Sequence, residues 1–282
     1  DVYKRQDSEF AFSVNAERET DLGTLKVGFK SKNREKDVDD YIIVYEADMT
    51  MADFDPQTLD WQFAGQTFSQ QANPDMIYAL RNQLDSLSVD FSNDYARDFV
   101  TEEKVNALYI QNTYTWDKGV IVAGVRYEDT STESQAFDQD GNQVFAGSDH
   151  SFFAPSINIK YFLDDRLQLR GSIWKGLSRP GFKKTAPKLD YDNDEGDISG
   201  SAGNPDLKPY EAVNYDLSLE FYGDDMTFAS VGLFRKNIEN AIYPKIYKTA
   251  TFLGVTFNDD VETWENAPVS YTHLRAHETS GY

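Results

Sequence analysis

The chain has 282 residues and a formal net charge of −21, and 14% of its residues are aromatic, with 17 Tyr and 19 Phe. This length is enough to bury a large core, and the strong negative charge argues against nucleic acid as a partner. No run of about 18 apolar residues exists, which excludes a transmembrane helix. A transmembrane barrel stays open, because barrel strands give only short alternating signals. The lack of cysteine does not decide the compartment.

Both ends of the chain resemble sequence of technical origin. Residues 1–6 resemble the translated mosaic end of a transposase sequencing adapter, and residues 268–282 resemble its reverse complement read onward into the flank. Two inverted matches at opposite ends favour an artefact over two ordinary surface tails, so both segments are excluded from the fold prediction. His273 and His277, although spaced as in helical zinc sites, are therefore not interpreted as a metal site. The remaining residues 7–267 carry −22, since Asp1, Lys4, Arg5, Arg275 and Glu278 contribute +1 to the total of −21.

Alternation of apolar and polar residues predicts four strands in the first half of the chain. They cover residues 9–16, 25–32, 103–115 and 120–127, joined in pairs by turns at 19–23 and 116–119. The third strand has apolar residues on both faces, so its orientation stays open. In the fourth strand, Arg126 opposes the apolar residues and is predicted to point inward.

Four further strands are predicted between residues 151 and 236. They cover 153–161, 167–173, 213–221 and 226–235, with short polar turns inside each pair. Their polar face carries Asn158, Lys160, Gln168, Arg170, Asn214, Asp216 and Glu220. Their apolar face carries Ile157, Ile159, Leu167, Leu169, Ile173, Tyr215, Leu217 and Leu219. A soluble sandwich also shows such alternation, but the strict succession of short turns and long loops is typical of outer-membrane barrels.

Long segments without alternation connect the strand pairs. They cover residues 36–101, 130–150, 178–209 and 238–267, and all are predicted to be external loops. Residues 73–87 in the first loop fit a short amphipathic helix, and Asp140-Gly141 in the second is a typical hairpin-turn dipeptide. The acidic cluster 190–197 has carboxylates at alternate positions, as in a calcium loop. Glu195 and Ser201 occupy the positions where such a loop needs Gly and Glu, which favours a solvated loop.

Several strings in the second half resemble a known family. Leu169–Phe182, the Gly-Asn-Pro-Asp-Leu-Lys-Pro string, Asn214–Glu220 and Gly232–Ile238 are similar to the C-terminal barrel of TonB-dependent outer-membrane receptors. The residues that carry the family motifs are Arg179, Pro180, Gly203, Asn204, Pro205, Asp206, Leu207, Lys208 and Pro209. The resemblance covers most of residues 9–267.

The resemblance implies an all-β, antiparallel, up-and-down transmembrane barrel in the bacterial outer membrane. Eight predicted strands are a partial wall of a family barrel with about 22 strands. The implied function is uptake of a scarce solute, such as a siderophore, a vitamin or an oligosaccharide, energised by the TonB complex. Membrane lipid, a plug domain and the TonB complex are the implied partners, the latter two through regions missing here. A passive porin and a soluble β-rich surface binding protein are the alternatives.

Candidate functional residues follow from this interpretation. Arg126, Lys160, Arg170 and Trp174 are predicted to face the lumen. Trp61, Phe182 and Tyr191 are loop aromatics predicted to contact substrate near the external rim. Gly203-Asn204-Pro205 is interpreted as a turn that directs the chain into a strand. Because no nucleophile motif surrounds His150 and no Walker loop exists, the sequence predicts neither an enzyme nor a cofactor or metal.

Overall fold

The computed structural model describes residues 2–41, 61–63, 66–68, 73, 75–76, 95–138, 141–224, 227–267 and 271–281. Within these ranges the backbone is almost entirely β-strand. The strands are β1 (Val2–Thr20), β2 (Gly23–Tyr41), β3 (Trp61–Phe63), β4 (Gln66–Phe68), β5 (Phe99–Trp116), β6 (Gly119–Phe137), β7 (Gln143–Phe162), β8 (Leu167–Ser178), β9 (Leu189–Asp194), β10 (Asp197–Ala202), β11 (Tyr210–Tyr222), β12 (Phe228–Glu239), β13 (Ile242–Tyr247), β14 (Ala250–Phe252), β15 (Val255–Phe257), β16 (Val261–Asn266) and β17 (Tyr271–Gly281). The helix α1 (Phe182–Thr185) lies between β8 and β9, and Asp75, Met76 and Tyr95 are also helical.

The large sheet is an antiparallel meander. Its order within the described residues is β1-β2-β5-β6-β7-β8-β11-β12-β17, so long strands that follow one another along the chain are also neighbours in space. The eight predicted strands are confirmed, and the sheet is open, as expected for part of a larger barrel. Among the described residues, no helix is long and apolar enough to cross a membrane.

The strands are longer than the alternation predicted. β6 and β7 run through most of residues 130–150, so the prediction of a long loop there is wrong. Ser134 and Thr101 form a buried hydroxyl pair with 2.9 Å between their oxygens, which shows how polar residues in this part are paired across strands. Polar side chains on both faces of β6 hid the strand from a test that relies on apolar periodicity. Gly141 in the short connection has a φ of +81°.

The register assigns every wall residue to one of two faces. Outward side chains near the short turns are apolar and exposed; they include Phe10, Phe12, Val14, Val27, Phe29, Leu108, Ile110, Val125, Phe153, Ile157, Ile159, Ile173, Tyr215, Leu217, Leu219, Val231 and Leu233. The open orientation of β5 is thereby settled. Leu108 and Ile110 are 58% and 48% exposed on the outward face, whereas Val105 and Ala107 are 6% and 2% exposed on the inward face.

Farther from the short turns, the outward face becomes polar. On β2 the outward series continues with Ser31, Asn33 and Glu35, and on β6 with Asp129 and Ser131. An apolar outward band followed by polar residues is the pattern of a barrel wall that projects beyond the membrane on its loop side.

The loops between β8 and β11 and after β12 form a small sheet of their own, the loop sheet. Its order is β13-β16-β10-β9, and β10 pairs in parallel with β16 through Gly200 and Val261. Leu189, Ala202, Phe257 and Val261 form its buried core. The prediction that residues 238–267 are irregular is therefore wrong. The core takes residues from both loops, so the pattern of either loop alone does not reveal it.

The adapter-like segments also lie in strands. Residues 2–6 extend β1, and β17 pairs with β12 from Tyr271 to Gly281 as a ninth strand. Backbone hydrogen bonds at a sheet edge tolerate many sequences, so this pairing is compatible with a technical origin. That residues 1–6 and 268–282 are artefacts remains a proposal.

Candidate functional site at the external rim

The four residues predicted to face a lumen lie on the polar face of the sheet. Arg126 Nε is 2.7 Å from Glu128 Oε1, and Arg170 Nε is 3.0 Å from Glu220 Oε2. Lys160 is the cross-strand partner of Arg170. Trp174 donates its indole N–H to Asp216 over 3.4 Å. All four therefore share the face that a closed barrel turns inward, and their lumenal role in such a barrel remains a prediction.

Hydrogen bonds join these polar residues across strands. Gln168 donates to Glu220 over 2.6 Å and to Tyr222 over 2.9 Å, and Ser172 donates to Asp216 over 2.9 Å. Gln168 is buried. Each of these contacts joins neighbouring strands. The side chains on this part of the polar face therefore hold the strands in register.

Toward the loop side, the polar face carries a cluster of opposite charges. Arg179, just after β8, donates to Glu128 over 2.6 Å and to Thr130 over 2.9 Å. Its Nε is 3.6 Å from Glu103 Oε2. Glu103 and Thr130 are buried. The residue that follows the end of β8 is thus bound to the inner wall of β5 and β6.

An apolar cluster lies next to these charges. Phe182, 8% exposed, packs with Val38, Phe99 and Ala136, and the guanidinium of Arg34 lies 5.0 Å from its ring centre. The ring of Phe182 is packed among wall residues. Its predicted contact with substrate stays a prediction.

A basic cavity opens beside the apolar cluster. It has a volume of about 510 Å³ and is lined by Arg5, Lys36, Val38, Arg97, Phe99, Lys183, Lys188, Asp190 and Ser201. Five of these nine residues are cationic and one is acidic, in a chain whose net charge is −21. Arg97 Nε lies 3.9 Å from Asp190 Oδ2. Arg5 belongs to the adapter-like segment, and the four cations outside that segment are Lys36, Arg97, Lys183 and Lys188.

This cavity was not predicted from the sequence. Its cations come from four separate places: the end of β2, the segment before β5, α1 and the residue before β9. The signal in the sequence was the run Lys183-Lys184 with Lys188 shortly after it, which stands out in an acidic chain. Only the folding of residues 179–188 onto the wall brings it beside Lys36 and Arg97.

Comparison with known proteins identifies the family. The family model described as "TonB dependent receptor-like, beta-barrel" matches residues 3–273. The chain belongs to this family. Receptors of this family are proteins of the bacterial outer membrane and act in transport, which places the chain in that membrane.

Individual relatives are distant. The probable TonB-dependent siderophore receptor PirA of Acinetobacter baumannii is 26% identical over 193 residues, covering 59% of this chain and 22% of that protein. The ferrienterobactin receptor of Escherichia coli is 24% identical over 245 residues, covering 82% of this chain and 29% of that protein. The solved structure of the copper transporter OprC is 11% identical, covers 98% of this chain and 35% of that chain, and superposes with a TM-score of 0.57, which shows the fold alone. The receptor chain described here thus spans less than a third of the length of these curated relatives.

The Gly-Asn-Pro-Asp-Leu-Lys-Pro string of the receptor fixes the end of its loop. Gly203 is buried, and a Cβ there would collide with the carbonyl oxygen of Ala186. The side chain of Asn204 accepts from Asp206 N–H over 3.0 Å and donates to the carbonyl of Trp264 over 2.8 Å. Lys208 N–H donates to Asn266 over 2.9 Å. The string therefore joins the two external loops, in keeping with the predicted turn.

The remaining aromatic candidates have different positions. Tyr191 lies on β9 and packs edge to face on Phe257, with 5.8 Å between ring centres. Trp61 begins the short strand β3, and its side chain lies outside the described residues. Neither position tests their predicted contact with substrate, which stays a prediction.

The acidic cluster forms the tip of the β9–β10 hairpin. Glu195 and Gly196 have φ values of 51° and 100°, and Gly196 N–H donates to Asn193 over 3.0 Å. Asp192 and Asp194 are exposed. Across the described parts of the chain, no group of three or more His, Cys, Asp or Glu residues is arranged to hold a metal ion.

Charge pairing also stabilises the loop sheet. The hydrogen bond from Tyr247 and the ammonium of Lys245, 2.9 Å from the carboxylate, hold the pKa of Glu265 below its usual value. The same contacts to Tyr247 and Glu265 raise the pKa of Lys245. These residues join β13 to β16 outside the membrane band.

Proposed function

We propose that this chain forms part of the wall and external rim of a receptor that takes up an anionic iron chelate, a siderophore complex, by TonB-energised transport. The observation that carries the proposal is the basic cavity on the inward, loop-side face of the wall. A solute that enters a barrel from outside meets this face first. The chain itself then supplies binding and guidance of the solute, and the proposal assigns it no enzymatic activity.

The charge of the cavity supports an anionic solute. Lys36, Arg97, Lys183 and Lys188 converge on a volume of about 510 Å³, which lies within the ~300–1,000 Å³ of small-molecule sites. Clefts lined by one sign of charge raise the local concentration of oppositely charged solutes and their association rates. An uncharged vitamin or oligosaccharide gains hydrogen bonds from such a lining but no charge attraction.

The names of the relatives also favour a siderophore as the solute. PirA of Acinetobacter baumannii is named a probable siderophore receptor, and the proteins of Escherichia coli and Pseudomonas aeruginosa are named for ferric enterobactin. Family membership supports coupling to the TonB complex and a plug domain as partners.

Uptake by the full receptor tests the proposal. In cells that lack other ferric enterobactin receptors, uptake of radiolabelled ferric enterobactin is measured for the parent and for Lys183→Gln combined with Lys188→Gln. Loss of about 1.4 kcal/mol of binding energy corresponds to a tenfold higher half-saturation concentration, which is the expected order of change. The matched control, Lys118→Gln with Arg166→Gln, removes two positive charges at the short turns and should leave it unchanged.

Two results would contradict the proposal. An unchanged half-saturation concentration in the cavity variant, with normal receptor levels, would remove the cavity from binding. Uptake that persists after a protonophore dissipates the inner-membrane gradient would favour the passive porin instead.

A further inference from the structure

Residues 179–188 cross the inward face of the wall as a strap. The strap begins where β8 ends and contains α1, in which Lys184 N–H donates to Gly181 O over 2.8 Å and Ala186 N–H donates to Phe182 O over 2.9 Å. It carries two of the cavity's cations, Lys183 and Lys188. Their positions therefore depend on what holds the strap.

The end of the strap is held by backbone hydrogen bonds, in which Lys184 O accepts from Asn204 N–H over 2.8 Å and Lys188 O accepts from Gly203 N–H over 3.0 Å. Two further attachments, three residues apart, hold its beginning on the wall. The first is Arg179, whose guanidinium reaches the carboxylates of Glu103 on β5 and Glu128 on β6. The second is Phe182, which is buried among wall residues including Val38 and Phe99. Pro180 between them fixes one backbone dihedral, so the spacing of the two attachments is constrained.

The wall does not need Arg179 for its own cohesion. Glu128 has a second cation in Arg126 at 2.7 Å, and Glu103 has a second cation in Lys32 at 3.8 Å. β5 and β6 are also joined by a continuous backbone ladder from Phe99 to Trp116. Removing Arg179 thus leaves both carboxylates with a partner and the ladder intact, and the loss falls mainly on the strap.

The contact is directional as well as charged. One terminal nitrogen of Arg179 donates to both Glu128 and Thr130, at 2.6 Å and 2.9 Å, while its Nε meets Glu103 at 3.6 Å, too long for a hydrogen bond. A charged hydrogen bond to a half-buried carboxylate fixes geometry more tightly than an exposed ion pair. Arg166 offers the contrast, since its pair with Asp224 at 2.7 Å lies on exposed turns at the opposite end of the wall.

We propose that Arg179 is a positioning residue that holds the strap on the inner wall and thereby places Lys183 and Lys188 at the basic cavity. The ligand class of the cavity rests on the proposed function, but the positioning itself does not. The ammonium of Lys184, also on the strap, lies 3.6 Å from the ring centre of Trp264 and links the strap to the second external loop.

A distance measurement tests the positioning without any solute. Nitroxide labels are attached to Lys183→Cys on the strap and Glu133→Cys on the outward face of β6, in a receptor whose described wall contains no native cysteine. Pulsed electron resonance then compares the parent with Arg179→Gln, Arg179→Lys and the control Arg166→Gln. We expect Arg179→Gln to broaden or shift the distance distribution. Arg179→Lys, which keeps the charge at Glu128, should preserve most of it, and Arg166→Gln should match the parent.

Uptake kinetics provide a second test of the positioning role of Arg179. With ferric enterobactin, Arg179→Gln should raise the half-saturation concentration by about the same factor as the Lys183→Gln, Lys188→Gln variant. Its maximal rate should stay at the parent value, and Arg179→Lys should recover most of the affinity. A residue needed only for folding would instead lower the maximal rate with receptor abundance.

The outcomes separate the two proposals. A parent-like distance distribution in Arg179→Gln overturns the positioning role whatever the uptake shows. A broadened distribution with unchanged uptake keeps the positioning role and removes the cavity from the proposed function. If Arg179→Gln fails to reach the outer membrane, Glu128→Gln and Thr130→Val break the same contact from the wall side, and a parent-like distribution in both would overturn the proposal.

Discussion

The wall and the loop sheet use the same strand geometry with opposite arrangements of apolar surface. In the wall, Leu217 and Leu233 point away from the sheet and are exposed. In the loop sheet, Val261 points into a closed core together with Phe257 of the neighbouring β14–β15 hairpin, and both are fully buried. A protein in water covers its apolar residues with its own chain, whereas a barrel wall leaves them for lipid. The contrast shows which part of the molecule is built for which solvent.

The contrast predicts that the wall cannot stand alone in water. Residues 7–267 expressed without the rest of a barrel leave an apolar band uncovered in water, beyond what a soluble monomer tolerates, and have two open sheet edges that can pair with other chains. We expect aggregation or disorder. Size-exclusion chromatography and thermal melting in detergent-free buffer provide the check, and a monodisperse, cooperatively melting monomer would favour the soluble surface protein instead.

Truncation of a core ring should separate the two regions. Phe257→Ala in the full receptor should cost the loop sheet about 3–5 kcal/mol, as for other buried Phe residues. Phe153→Ala on the outward face of β7 should leave the loop sheet unchanged. Hydrogen exchange of amides in β9, β10, β13 and β16 measures the difference, and equal protection in both variants would show that the loops have no core of their own.

Acid should loosen the loop sheet before the wall. Because the folded-state pKa of Glu265 is depressed by Tyr247 and Lys245, its contribution is present above the ordinary Glu value of about 4.3 and is lost as pH falls through the lower folded value. Trypsin cleavage within residues 240–266 should therefore increase after preincubation at a pH below the folded-state pKa of Glu265. In Glu265→Gln this dependence should be weaker, and an identical acid profile in parent and variant would exclude the carboxylate as its origin.

Removal of the terminal segments should have the smallest effect. If residues 1–6 and 268–282 are of technical origin, the native gene encodes other residues there, and the pairing of β2 with β5 and of β8 with β11 is the same without them. Long sequencing reads across the locus decide this. A gene that encodes both segments in frame would contradict the proposal.

The wall strands could be predicted from the sequence because the alternation that marks each strand is local. The alternation in Leu217, Ser218 and Leu219 records one solvent on each side, and a short turn such as Asp164-Asp165 fixes the partner strand. The strand extensions beyond the apolar band were missed, because residues such as Thr132 and Glu133 are polar on both faces and carry no periodic signal. The family motif was found, but not its role in joining two loops.

The candidate site was much harder to predict. The cavity joins Lys36, Arg97, Lys183 and Lys188 from segments far apart in the chain, and the packing of residues 179–188 on the wall brings them together. The core of the loop sheet likewise depends on the parallel pairing of Gly200 with Val261. Neither pairing leaves a local pattern in the residues that make it.

The direction in which the wall's side chains face is the central claim, and arginine substitution tests it most directly. In the full receptor reconstituted in liposomes, equilibrium unfolding is measured for Leu217→Arg and for its inward neighbour Ser218→Arg. A charge on the lipid face near the bilayer midplane costs about 2–4 kcal/mol, whereas inward substitutions are milder. We expect Leu217→Arg to show that loss and Ser218→Arg to show clearly less. Equal losses at the two positions would contradict the assignment of the apolar face to lipid.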